Sequence, residues 1–142
     1  MNNELDMREC ADHSGQFWTF TAIPNALKHL NTHKMTTQFR GSEMCLTIDG
    51  TLTDHVLHLA PCPNVPTENQ LWNVAAWKGE NARPDDPLPI LGWLIEPLLS
   101  INSDEPAPMF LVVDTPPDGD GRPYIDTKDY VGDGFIWKLA PK

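Results

Sequence analysis

The clearest apolar pattern in the chain is the unbroken run from Met109 to Val113, which reads as a buried strand. Phe17 to Ile23 is aromatic and β-branched, the composition that suits a pleated, half-buried strand. Pro24 then fits the first turn of a short helix running to about Met35, with Leu27 and Leu30 toward the core. A second β region follows from Thr36 to Leu59, broken at Gly41-Ser42 and at Asp49-Gly50. Asp-Gly between apolar segments is a hairpin signal. A two-residue turn there would set Ile48 against Thr51 and send Leu52 to the other face, so a three-residue loop fits better.

Ala60 to Thr67 holds three prolines and must be a connection. Gln70 to Trp77 reads as a strand, Gly79 to Pro89 as an acidic, proline-rich loop. Ile90 to Ile101 suggests a second helix, short or bent because of Gly92 and Pro97. Thr115 to Asp133 is rich in turn residues and acids, and Phe135 to Leu139 closes the chain as a last strand. The sum is an α+β fold: a single compact domain with a mainly antiparallel sheet of five to seven short strands and one or two short helices. The connections are too short for repeated βαβ crossovers.

Length changes this picture little: 142 residues suit one domain with a real core. Residues 1–15 read as an acidic arm and residues 16–142 as the domain. Fourteen prolines, about twice the usual share, imply long loops between short elements. Charge matters more. Twenty acidic against ten basic residues leave a formal charge of -10, which repels nucleic-acid phosphates and argues against direct DNA or RNA binding. The positive segment from Lys28 through Lys34 to Arg40 is too weak to reverse that. No secretory leader and no bilayer-spanning run is expected: the N-terminus is acidic, and Leu88 to Ile101 is interrupted by Glu96 and Pro97. Cys10, Cys45 and Cys62 make an odd count, which reads as reduced thiols in a cytoplasm.

One stretch comes near a catalytic signature. In Leu46-Thr47-Ile48-Asp49-Gly50-Thr51-Leu52-Thr53-Asp54, the order Asp49-Gly50-Thr51 resembles the first motif of the haloacid-dehalogenase-type phosphatases. The resemblance implies a nucleophilic carboxylate two residues before Asp49, where Thr47 stands with an unactivated hydroxyl. An ordinary hairpin accounts for the same residues.

Other constellations are weaker. His55, His58 and Cys62 stand in a row, but a strand would point the two histidines to opposite faces, and no paired zinc-ligand spacing exists. His29 and His33 would share a solvated helix face. Asp114 to Gly121 begins like a calcium loop, then fails at Arg122 and Asp129. No cofactor is implied. Most of the five tryptophans should be core, with Trp77 and Trp93 the best placed to reach a surface.

These features point to a small acidic cytoplasmic binding protein, a stoichiometric inhibitor of a basic, nucleic-acid-handling protein partner. Immunity proteins and phage-encoded inhibitors of host defence share that physical profile, and carboxylates held on a rigid fold speed encounter by steering. The expected contact set is Asp85, Asp86, Asp118, Asp120, Asp126 and Asp129, with Trp77 or Trp93 as anchor. The competing readings are a small metal-assisted hydrolase built on Asp49, Asp54, Thr47 and His55, and a structural or assembly subunit that could self-associate as a homodimer.

Overall fold

The computed structural model describes residues 17–23, 31–83, 85–104, 107–113, 123–127 and 137. They form eight strands, every pairing antiparallel: β1 (Trp18–Ala22), β2 (Thr32–Thr37), β3 (Met44–Gly50), β4 (His55–Pro61), β5 (Trp72–Trp77), β6 (Gly92–Pro97), β7 (Met109–Val113) and β8 (Pro123–Thr127). A 3₁₀ turn, Glu68–Gln70, precedes β5, and a single helical turn, α1 (Leu98–Ile101), follows β6.

Two helices expected from the sequence give way to strands. Residues 32–35 belong to β2, where Thr32, Thr36 and Thr37 bring β-branched side chains that fit a sheet better than a helix. Residues 24–30 of that expected helix lie outside the described set. His33 is therefore a strand residue, its ring edge-on to Phe20 at 6.3 Å. Residues 92–97 are strand β6, so the second helix shrinks to α1. Conversely β8, Pro123–Thr127, lies inside the acid-rich excursion and pairs along its whole length with β7. The arm 1–15, the Asp114–Gly121 loop and His29 lie outside the described residues, and of the last expected strand Trp137 alone is described.

The β3–β4 hairpin is present with its turn displaced. Asp49 and Gly50 are still paired, with Val56 and His55, and residues 51–54 make the loop. Thr51 N–H donates to the Asp54 carbonyl at 2.9 Å, and Asp54 N–H donates to Thr51 Oγ1 at 3.0 Å. Gly50 sits at φ 116°, where a Cβ would lie 2.3 Å from the Asp54 oxygen. Only glycine fits there.

β1 pairs with one side of β2, while β3 and β5 share the other, each over one or two residue pairs. That wedge leaves part of β3 without a strand neighbour. Backbone bonds at Cys62–Glu43 and Thr51–Asp54 make the odd-numbered β3 residues the ones hydrogen-bonded to β4, so the Leu46 and Ile48 carbonyls face the other way. Side chains fill the gap: the Trp72 indole donates to the Leu46 carbonyl and the Asn69 amide to the Ile48 carbonyl, each at 3.1 Å.

Two further seams close similarly. Trp137 exchanges both backbone bonds with Trp93 on β6, at 2.8 and 2.9 Å, while its indole donates to the Leu111 carbonyl of β7 at 2.9 Å. His55 on β4 accepts the Ile125 N–H of β8 at 2.9 Å through Nε2. The two sheets thus enclose one core, in which Met35, Leu46, Ile48, Leu57, Leu59, Trp72, Ile95, Met109, Leu111 and Ile125 are buried together. Seven strands contribute to it. Removing that apolar surface from water is the main stabilising term.

The cysteines differ from expectation. Cys45 and Cys62 form a disulfide with Cα atoms 5.7 Å apart. Cys45 lies opposite Ala60 on β4, and Cys62 two residues beyond it is the diagonal neighbour on the same face. The strand register brings the pair together despite a separation of 17 in sequence. No described helix is long and apolar enough to cross a membrane.

Candidate functional site

The acidic contact set maps onto the structure unevenly. The 78–91 loop leaves β5 and returns to β6, and its base is fastened by Leu91 N–H donating to the Trp77 carbonyl at 2.7 Å. Inside it, Asp86 is a structural residue. Its carboxylate accepts the Arg83 N–H at 2.8 Å and its carbonyl accepts the Lys78 ammonium at 2.8 Å. Asp85 is exposed beside it, and its side chain makes no hydrogen bond or ion pair with a described residue. Asp126 is half-buried on β8 opposite Phe110 and already engaged. Asp118, Asp120 and Asp129 lie outside the described residues.

The two tryptophans are chiefly architectural. Trp77 is 9% exposed, which leaves little of its ring to meet a partner. Trp93 is half-buried and its backbone is committed to Trp137. The same loop instead exposes Leu88, Ile90 and Leu91, each about half open to solvent.

Several exposed acids lie outside the expected contact set, Asp49 and Asp54 among them although both are candidates in the hydrolase reading. Glu43, Asp49, Asp54, Glu80 and Asp104 are exposed, and no side-chain hydrogen bond or ion pair joins them to another described residue. For Asp49 a signal existed: Leu46 and Ile48 face the core, so alternation puts Asp49 on the opposite face. Glu43 and Asp54 flank the same hairpin at its two ends.

The phosphatase-like stretch is spent on structure. Thr47 is 5% exposed, and its hydroxyl donates to the Cys45 carbonyl at 2.8 Å while accepting from the Gln70 amide at 3.3 Å. Among the described residues its hydroxyl donates to a backbone carbonyl and to no base, and its strand belongs to an antiparallel sheet. His55, His58 and Cys62 serve separate ends: His55 at the β8 seam, His58 opposite Thr47, and Cys62 in the disulfide. Among the described residues no group of three or more His, Cys, Asp or Glu is placed to hold a metal ion.

Glu96 has a shifted proton affinity. Burial pushes it above the ordinary glutamate value, and the hydrogen bond from the Ser100 hydroxyl opposes that shift. Ser100 Oγ donates to Glu96 Oε2 at 3.2 Å and accepts the Met109 N–H at 2.8 Å. This relay ties β6 to α1 and β7. The cross-strand neighbour of Glu96 is Asn73, which carries no charge. The arrangement suits a fastening.

No family model, no curated protein and no solved structure matches the chain.

Proposed function

We propose that this protein works by binding: it offers carboxylates from a rigid sheet scaffold to a protein with a basic surface and acts as a stoichiometric inhibitor of that partner. One observation carries the reading. The chain has twice as many acids as bases, and the exposed carboxylates of Glu43, Asp49, Asp54, Glu80 and Asp85 are not used to hold the described fold together. Charge of that sign and size bears on association. It raises encounter rates with cationic surfaces and repels nucleic acid, so a nucleic-acid-handling protein is a fitting target.

The sequence suggests a cytoplasmic place of action. The bridged Cys45–Cys62 pair weighs toward an oxidising one, where disulfides persist.

The test begins with capture of a basic protein from lysate at low salt, followed by stopped-flow association. Raising salt from about 20 to about 300 mM should slow association roughly tenfold or more, because charge steering is screened. Reversing Glu80 and Asp85 to Lys should lower the on-rate with the melting temperature unchanged. An on-rate indifferent to both changes would remove the electrostatic basis of the proposal.

A further inference from the structure

Residues 62–71 form a strap that leaves the end of β4 and passes over the outward face of β3 to reach β5. Cys45 and Thr47 point away from the core side occupied by Leu46 and Ile48, yet they are 0% and 5% exposed. The strap supplies their cover: Gln70, itself buried, donates to Thr47 Oγ1 at 3.3 Å and to the Pro61 carbonyl at 3.0 Å.

The two halves of the strap are held differently. Its far half is tied by the Thr67–Gln70 capping box and by Asn69 and Trp72 on the β3 carbonyls. Its near half has one backbone bond, Cys62 N–H to the Glu43 carbonyl at 3.0 Å, and the disulfide. Pro63, Asn64 and Val65 between them are exposed, with no hydrogen bond to a described residue.

We propose that the Cys45–Cys62 bridge is a redox-operated clasp on this strap. A dithiol reductant opens it by attack at Cys62 Sγ, because Cys62 is half-buried while Cys45 is wholly enclosed. The thiolate bonds to Cys62 Sγ, the S–S bond breaks, and its electron pair leaves on Cys45 Sγ, which takes up a proton. The reductant's second thiolate then attacks its own sulfur in the mixed disulfide and displaces the Cys62 thiolate, which is protonated in turn. Two electrons and two protons reach the protein, and the reductant departs as a cyclic disulfide.

Opening stays local for a structural reason. The main core cluster lies on the other face of β3 and contains neither cysteine. Reduction therefore frees the near half of the strap and bares the Cys45 thiol, with the core and the Gln70 cover over Thr47 kept. This inference is independent of the acidic-surface reading.

Hydrogen-exchange mass spectrometry of the full chain with and without dithiothreitol tests it, after peptide mapping of the air-exposed protein for a Cys45–Cys62 linkage. Reduction should speed exchange at the Cys62 amide, which donates to the Glu43 carbonyl, by about tenfold or more while amides of β5 and β6 hold their rates. Cys62→Ser should exchange like the reduced protein in both buffers, and Cys45→Ala offers the same comparison if that variant fails to fold. Unlinked cysteines, or a strap unmoved by reduction, would overturn the proposal. So would equal acceleration everywhere, since the bridge would then be a staple of the whole fold.

Discussion

Replacing Trp72 by Phe isolates the most unusual joint in the fold, where an indole takes the place of a strand neighbour. Trp72 is 0% exposed and its Nε1–H meets the Leu46 carbonyl at 3.1 Å, with Leu46 itself 1% exposed. Phenylalanine keeps the aromatic ring against the core and removes the donor and the five-membered ring. Leaving a buried carbonyl unpaired costs about 1–3 kcal/mol. The vacated volume adds about 1 kcal/mol, a fraction of the Trp→Ala penalty. The expected loss is about 2–4 kcal/mol, or a fall in melting temperature of roughly 6–15 °C for a domain of this size. Urea unfolding followed by far-ultraviolet circular dichroism measures it, with an unchanged urea dependence marking a change in stability alone. Trp18→Phe is the control, because Trp18 is half-buried on the edge strand β1 and makes no side-chain hydrogen bond; it should cost about 1 kcal/mol or less. If the Trp72 substitution costs no more than the control, the capped carbonyl is not what holds β3 beside β5.

Gly50→Ala should cost about 1–3 kcal/mol in a thermal melt, because the new Cβ meets the Asp54 carbonyl and the backbone angle is one L-residues avoid. His55→Ala should cost about 1–3 kcal/mol and speed amide exchange at Ile125, whose N–H loses its acceptor; His55→Gln, which carries an acceptor oxygen, should recover part of the loss. Glu96 makes stability depend on pH in a known sense. Its folded proton affinity is raised above the ordinary value of 4.5, so its contribution is fully present below that value and is lost as pH rises through the folded one. Glu96→Gln should remove that slope across the mildly acidic range, and identical pH profiles for the two proteins would refute the assignment.

What the chain disclosed before folding depended on how local the governing interaction is. β7 and the β3–β4 hairpin were legible because Met109–Val113 is unbroken and apolar, and because Leu46, Ile48, Leu57 and Leu59 alternate toward the core. β2 and β6 were not. Leu27 and Leu30 suggested a helical face, and the apolar density of Ile90–Ile101 suited a helix as well as a strand; pairing with β1 and β5 decided both. Tyr124-Ile125-Asp126-Thr127 is a reasonable strand by composition, hidden among turn residues and made definite by β7. The three side-chain seams follow from contacts between strands far apart in sequence, and the disulfide from the particular β3–β4 register, neither of which the local pattern fixes. In the acidic surface, total charge was legible, but which carboxylates are free was not: Asp86 turns inward to fasten its own loop, whereas Asp49 is turned out by strand alternation.

The seams have a consequence for how this architecture can change. Backbone ladders hold neighbouring strands about 4.8 Å apart, a spacing that substitution cannot alter. Where an indole or imidazole stands in for the ladder, as with Trp72, Trp137 and His55, the side chain's own length sets the interval. Single substitutions at these three positions can therefore widen or narrow the girth of the enclosure without rewriting any strand, leaving its interior volume open to adjustment one residue at a time.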